Sequence, residues 1–169
     1  GALLIHYSTD YVFDGSARLP YREDAPVGPL NVYGESKLAG EQAIAATGAY
    51  ALTLRTSWVY GLRGRNFLVT IRRLAAERPE LQIVADQTGT PHRAVALAAA
   101  TAALVALGLP ALKARAGLYH FSATGATTWH GFASAIVGAV SSPKVMPIVT
   151  ADFPTPARRP AASSWTSRL

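Results

Sequence analysis

Leu3-Leu4-Ile5-His6-Tyr7-Ser8-Thr9-Asp10 is the stretch that decides the fold. A short apolar run closing on three polar residues is how a buried parallel strand ends at its carboxyl edge. Residues 14–31 follow with prolines and glycines among charges, an irregular loop long enough to suggest a functional segment. From Val32 to about Thr47 the pattern turns helical, with Leu38, Ala39, Ala43 and Ile44 on one side and Gly48 as the stop. Tyr50–Leu54 then reads as the next strand, so the chain opens as strand, helix, strand.

Working outward, Gly61–Asn66 is a loop and Phe67–Glu77 a helix with Phe67, Leu68, Ile71, Leu74 and Ala75 on one face. Leu81–Val84, Leu118–Phe121 and Val145–Val149 are short strands. Ala94–Leu107 is a helix, and Thr127 or Thr128 caps another running to about Val140. Phe153–Pro160 is too proline-rich to be regular. Strands alternating with helices give an α/β fold with a mainly parallel sheet.

The chain has 169 residues, one domain's worth; 50% are hydrophobic and 15% charged, enough apolar material for a sizeable core. The absence of cysteine excludes disulfides, zinc–cysteine sites, iron–sulfur ligation and thiol catalysis. A formal net charge of +6 suits an anionic ligand, and equally an arginine-rich solvated surface. No basic n-region opens the sequence, so a cytoplasmic protein is expected. Ala94 to Leu112 carries no charge, yet its alanines and the Gly108-Leu109-Pro110 break argue for a buried or half-buried helix, not a membrane span. His6, His92, His120 and His130 lack metal-ligand spacing, and no P-loop, nucleophile elbow or nucleic-acid module is present.

The candidate chemistry lies in Tyr33-Gly34-Glu35-Ser36-Lys37. Spacing i, i+4 puts Tyr33 and Lys37 on one helical face, where an ammonium favours the phenolate of a nearby phenol and equips it for proton transfer near neutral pH. Thr9, ending a strand, is placed to add a hydroxyl. Taken alone, the same pattern also describes an amphipathic helix start with an exposed lysine.

Three segments together, Ser8–Gly15, Tyr33–Glu41 and Arg55–Tyr60, resemble the extended short-chain dehydrogenase/reductases, and within them the reductases of dTDP-linked 4-keto sugars. Gly64–Phe67, Ala85–Pro91, Gly117–Phe121, Thr127–His130 and Pro154–Pro160 continue the resemblance in order. It implies a Rossmann-like, doubly wound parallel sheet with a small α/β substrate-binding region. By the same resemblance, Tyr33 donates a proton, Lys37 holds the nicotinamide ribose and lowers the tyrosine pKa, and Thr9 hydrogen-bonds the carbonyl oxygen. Asp10, Tyr11 and Trp58 face the sugar, and Asn66 with Arg63 and Arg65 lies where a nucleotide-sugar is gripped. Arg158 and Arg159 match a motif near the family's substrate phosphates.

The implied cofactor is NADP(H) or NAD(H), with Mg2+ at a dimer contact as a further expectation; the implied partners are a nucleotide-sugar and a second copy, with neither nucleic acid nor membrane. The implied division is 1–57 and 81–108 for the Rossmann part, 58–80 and 109–169 mainly for substrate. The family's opening Gly-x-x-Gly-x-x-Gly turn is not found, and Gly61-Leu62-Arg63-Gly64 lacks its third glycine. The expectation is therefore a carboxy-terminal portion of a reductase, inactive by itself. The alternative is a non-catalytic relative that binds a partner enzyme.

Overall fold

The computed structural model describes residues 2–17, 19–138, 143–163 and 165. Along the chain run β1 (Leu4–Thr9), a 3-10 turn (Asp10–Val12), α1 (Val32–Ala46), β2 (Ala51–Thr56), β3 (Val59–Tyr60), α2 (Phe67–Glu77), β4 (Glu80–Val84), β5 (Thr88–Gly89) and β6 (His92–Arg93). Then follow α3 (Ala94–Ala106), α4 (Leu109–Ala114), β7 (Gly117–His120), β8 (Thr127–Thr128), α5 (Trp129–Val137), β9 (Lys144–Ile148) and a 3-10 turn (Thr150–Asp152). The part of the last expected helix that reaches Val140 lies outside the described residues.

The central sheet has the order β1-β2-β7 and is wholly parallel. Leu4 stands opposite Ala51 and Thr9 opposite Thr56, so β1 and β2 end together at their carboxyl edge. A strand–helix–strand unit of this kind buries β2 on both faces, which is why Ala51 to Arg55 are all buried. Leu52, Leu54 and Leu112 form the core on one side of the sheet, and Val12, Phe13 and Tyr21 form another under the 14–31 loop.

A second parallel pair, β4 with β9, carries α2 and α5 around Ile71, Leu81 and Ala133. β4 thus lies outside the central sheet while β7 lies inside it.

One expectation needs correction, and the structure sharpens two others. On α1 the buried residues are Gly34 and Glu41, whereas Ala39 and Ala43 are exposed. Close helix contact at Gly34 and a buried ion partner for Glu41 outweigh the weak apolar stripe. The 94–107 helix buries no residue at all: only the i, i+3, i+4, i+7 line of Leu97, Ala100, Thr101 and Leu104 is half-buried. Uniform alanine hides which face is covered, and here no layer of described residues packs outside it. Finally, the Gly108–Pro110 break also starts a helix. Gly108 at φ 81° ends α3, and Pro110 falls in the first turn of α4, where its missing N–H costs nothing.

Candidate active site

At the carboxyl ends of β1 and β2, where ligands bind open parallel sheets, lies a cavity of about 410 Å3. Thr9, Asp10, Tyr11, Tyr33, Trp58 and Arg159 are among its lining residues. The Thr9 hydroxyl accepts from the Tyr11 N–H at 3.3 Å, capping the 3-10 turn, and donates to Asp10 Oδ1 at 3.0 Å. Asp10 is 2% exposed, and its Oδ2 is buried with no hydrogen-bond partner among the described residues. Burial pushes its carboxyl pKa up to about 6, opposed by the neighbouring hydroxyls of Ser163 and Thr9. Tyr11 is also raised, chiefly by burial, with Arg159 acting in the other direction.

Tyr33 reaches the cavity from the first turn of α1, 54% exposed, its ring edge-on to Tyr11 at 5.6 Å. That turn is fixed twice. The Asn31 side chain accepts from the Gly34 N–H at 2.9 Å as N-cap and donates to the Arg158 carbonyl at 2.7 Å. Gly34 packs so tightly on the Asp10–Val12 turn that an added Cβ would stand 2.2 Å from the Tyr11 carbonyl oxygen, so only glycine lets α1 approach.

Lys37 is not in the cavity wall. Its Nζ donates to the Tyr7 carbonyl at 2.5 Å and lies 3.5 Å from His6 Nε2. Burial first, and then this ammonium, hold the His6 pKa below its usual value. One turn further, Glu41 receives two hydrogen bonds from Arg55, at 2.9 and 2.7 Å, with both side chains almost wholly buried. Arg55 also donates to the Glu23 carbonyl at 3.4 Å and lies 5.0 Å from the Phe13 ring centroid. One guanidinium on β2 therefore fastens α1, the 14–31 loop and the segment after Asp10.

Trp58 has φ 42°, a left-handed conformation that bulky side chains avoid at roughly 1–3 kcal/mol. Its indole is aimed into the cavity by stacking on Trp129, with centroids 3.5 Å apart and planes 5° off parallel. Gly89 makes room behind it, since a Cβ there would meet Trp58 at 2.3 Å. Trp129 is in turn held by its N–H to Gln87 Oε1 at 3.1 Å. It is a wall residue that sequence reasoning missed; the Thr-Thr-Trp-His match was its one signal.

Asn66 is spent on structure: its Oδ1 accepts from the Val69 N–H and its Nδ2 donates to the Arg63 carbonyl, capping α2. Neither it nor Arg63 or Arg65 lines the cavity. A second cavity of about 370 Å3, walled by Phe67, Ile71, Leu81 and Phe153, adjoins the first and shares Trp129 and Arg159 with it. Among the described residues no cluster of three His, Asp or Glu side chains is placed to hold a metal ion, and no helix is long and apolar enough to cross a membrane.

Fold and site together define a Rossmann-like member of the short-chain dehydrogenase/reductase class. The chain belongs to the RmlD substrate binding domain family, whose model matches residues 1–168. It is similar to the dTDP-4-dehydrorhamnose reductases of Burkholderia thailandensis (49% identity, covering 96% of this chain and 59% of the relative) and Escherichia coli K12 (47%, covering 95% and 56%). The solved dTDP-4-dehydrorhamnose reductase of Bacillus anthracis in complex with NADP superposes with a TM-score of 0.89 at 38% identity, over 99% of this chain and 58% of that one. The chain thus spans between 56% and 59% of the length of these proteins.

Proposed function

We propose that this chain forms the catalytic and sugar-binding part of a reductase that converts dTDP-4-dehydro-6-deoxy-L-mannose (dTDP-4-dehydro-L-rhamnose) to dTDP-L-rhamnose with NAD(P)H. The observation that carries the reading is the convergence of Thr9, Asp10, Tyr11, Tyr33 and Trp58 on one cavity that opens, past Arg159, onto an aromatic one. A sugar fits the first, a pyrimidine base suits the stacking surfaces of the second, and an arginine between them matches a diphosphate. Its relatives' name and the NADP complex of the Bacillus anthracis protein point the same way.

A nicotinamide cofactor, when bound, supplies the hydride. The residues fit its ribose end only: Lys37 is held beside the cavity by Tyr7 and His6, and no glycine-rich pyrophosphate turn occurs in the sequence. Tyr33 gives its hydroxyl proton to the oxygen at C4 as that oxygen gains charge. Trp58 and Tyr11 pack the sugar and exclude water around it. Asn66 serves the substrate by fixing the start of α2 beside the base cavity. No residue is assigned to the Mg2+ or the dimer contact.

The test is Tyr33→Phe in a full-length reductase that contains this chain. Turnover should fall by orders of magnitude while dTDP-L-rhamnose binding stays within about twofold. Unchanged turnover removes Tyr33 from the chemistry; a wild-type protein that reduces no 4-keto sugar yet captures a partner enzyme is the regulatory alternative.

A further inference from the structure

The Thr9 hydroxyl has one proton and two lone pairs. Its proton is directed to Asp10 Oδ1, and one lone pair takes the Tyr11 N–H. With Asp10 ionised, Thr9 has only a lone pair left for the cavity. A keto oxygen is also an acceptor, so the two groups would repel. If instead Asp10 carries a proton, it can donate to Thr9, and the Thr9 proton turns toward the ligand. The chain Asp10–H to Thr9–H to O=C is then a run of donors, each strengthening the next.

We infer that Asp10 is a positioning residue that must be protonated for Thr9 to donate to the carbonyl, so that the site takes up a proton when it binds a 4-keto sugar and none when it binds the 4-hydroxy product. This rests on the reductase reading of the cavity. The carboxyl is built for such a state: it is 2% exposed, and its second oxygen is buried without a partner among the described residues. Among the described residues, the titratable and charged groups that surround the cavity are Tyr11 beside it, Tyr33 from α1 and Arg159 from the carboxy-terminal segment. The hydroxyls of Ser163 and Thr9 oppose protonation, but burial is the largest influence on Asp10 and pushes its carboxyl pKa up to about 6. The alcohol product has its own proton to offer the free Thr9 lone pair, so ionised Asp10 suits it.

Calorimetric titration of the 169-residue chain, in two buffers of different ionisation enthalpy, separates the cases. A dTDP-linked 4-keto-6-deoxy sugar should bind with uptake of up to one proton, its affinity falling about tenfold per pH unit above about 6. dTDP-L-rhamnose should bind without uptake. Asp10→Asn, whose amide can donate permanently to Thr9, should bind the ketone without proton uptake and without the pH dependence. Equal weakening of both sugars by Asp10→Asn would mean that an ionised Asp10 grips a sugar hydroxyl, and would overturn the inference.

A ligand-free arm keeps the two readings apart. In carbon NMR of the carboxyl groups, Thr9→Val should raise the Asp10 pKa and Thr9→Ser should restore it. No shift in Thr9→Val overturns the Asp10–Thr9 coupling whatever the sugars do. A clear shift with neither sugar bound overturns the sugar reading of the cavity, and the inference with it.

Discussion

Replacing Glu41 by alanine should be among the most damaging single changes in this chain. The Arg55 and Glu41 side chains are 4% and 5% exposed, and two hydrogen bonds of 2.9 and 2.7 Å join them. Glu41→Ala leaves the guanidinium buried without its carboxylate, a loss of about 3–5 kcal/mol for a pair of this kind. Against a total stability of roughly 5–15 kcal/mol, that is a large fraction. In urea, with a slope of about 2 kcal/mol/M, the midpoint should move down by about 2 M. The damage should come from the orphaned charge and not from lost packing, so Glu41→Leu combined with Arg55→Met should recover most of it. Urea unfolding followed by tryptophan fluorescence on the single and double variants checks both statements. A Glu41→Ala loss below about 1 kcal/mol, or a double variant as weak as the single, would refute the reasoning.

Asp10 has a folded pKa raised to about 6 from 3.8, so its ionisation opposes folding: its contribution is most favourable below about pH 4 and is lost as pH rises through 6. Asp10→Asn should therefore stabilise the chain relative to wild type by about 3 kcal/mol at pH 8 and by little at pH 4, read from unfolding curves at both values. Gly89→Ala drives a methyl group into Trp58, and should abolish the near-ultraviolet circular dichroism of the Trp58–Trp129 stack with a loss of about 1–3 kcal/mol. Asn31→Ala removes the cap of α1 and its tie to Arg158, and should lower stability by about 1 kcal/mol while loosening the turn that carries Tyr33, visible as faster amide exchange at Gly34.

Elements whose signals are local could be read from residues alone. The α2 limits at Phe67 and Glu77, the cap at Thr127 or Thr128, which the structure places on Thr128, and the strand ending at Thr9 each follow from a cap or a period within a few positions. Tyr33 and the cavity residues near Thr9 were legible for the same reason, helped by motif order. The misses are all non-local or hidden by uniformity. Nothing in Glu41 announces a partner on β2, and nothing in Lys144–Ile148 announces β4. Trp129 gains its place from a stack across three elements. Asn66 carried a motif signal and a capping signal at once, and the capping bonds are those its side chain makes.

The bare surface of α3 has a colloidal consequence. Val95 is 65% exposed and Val105 52%, the helix carries no charge, and β1, the edge of the central sheet among the described residues, exposes Leu4 and Tyr7 nearby. Between two copies of this chain, mutual repulsion at a net charge of +6 opposes that apolar attraction. Added salt shortens the reach of that repulsion to about 3 Å at 1 M while leaving apolar attraction intact. Ionic strength, more than temperature, should decide whether this chain stays dispersed.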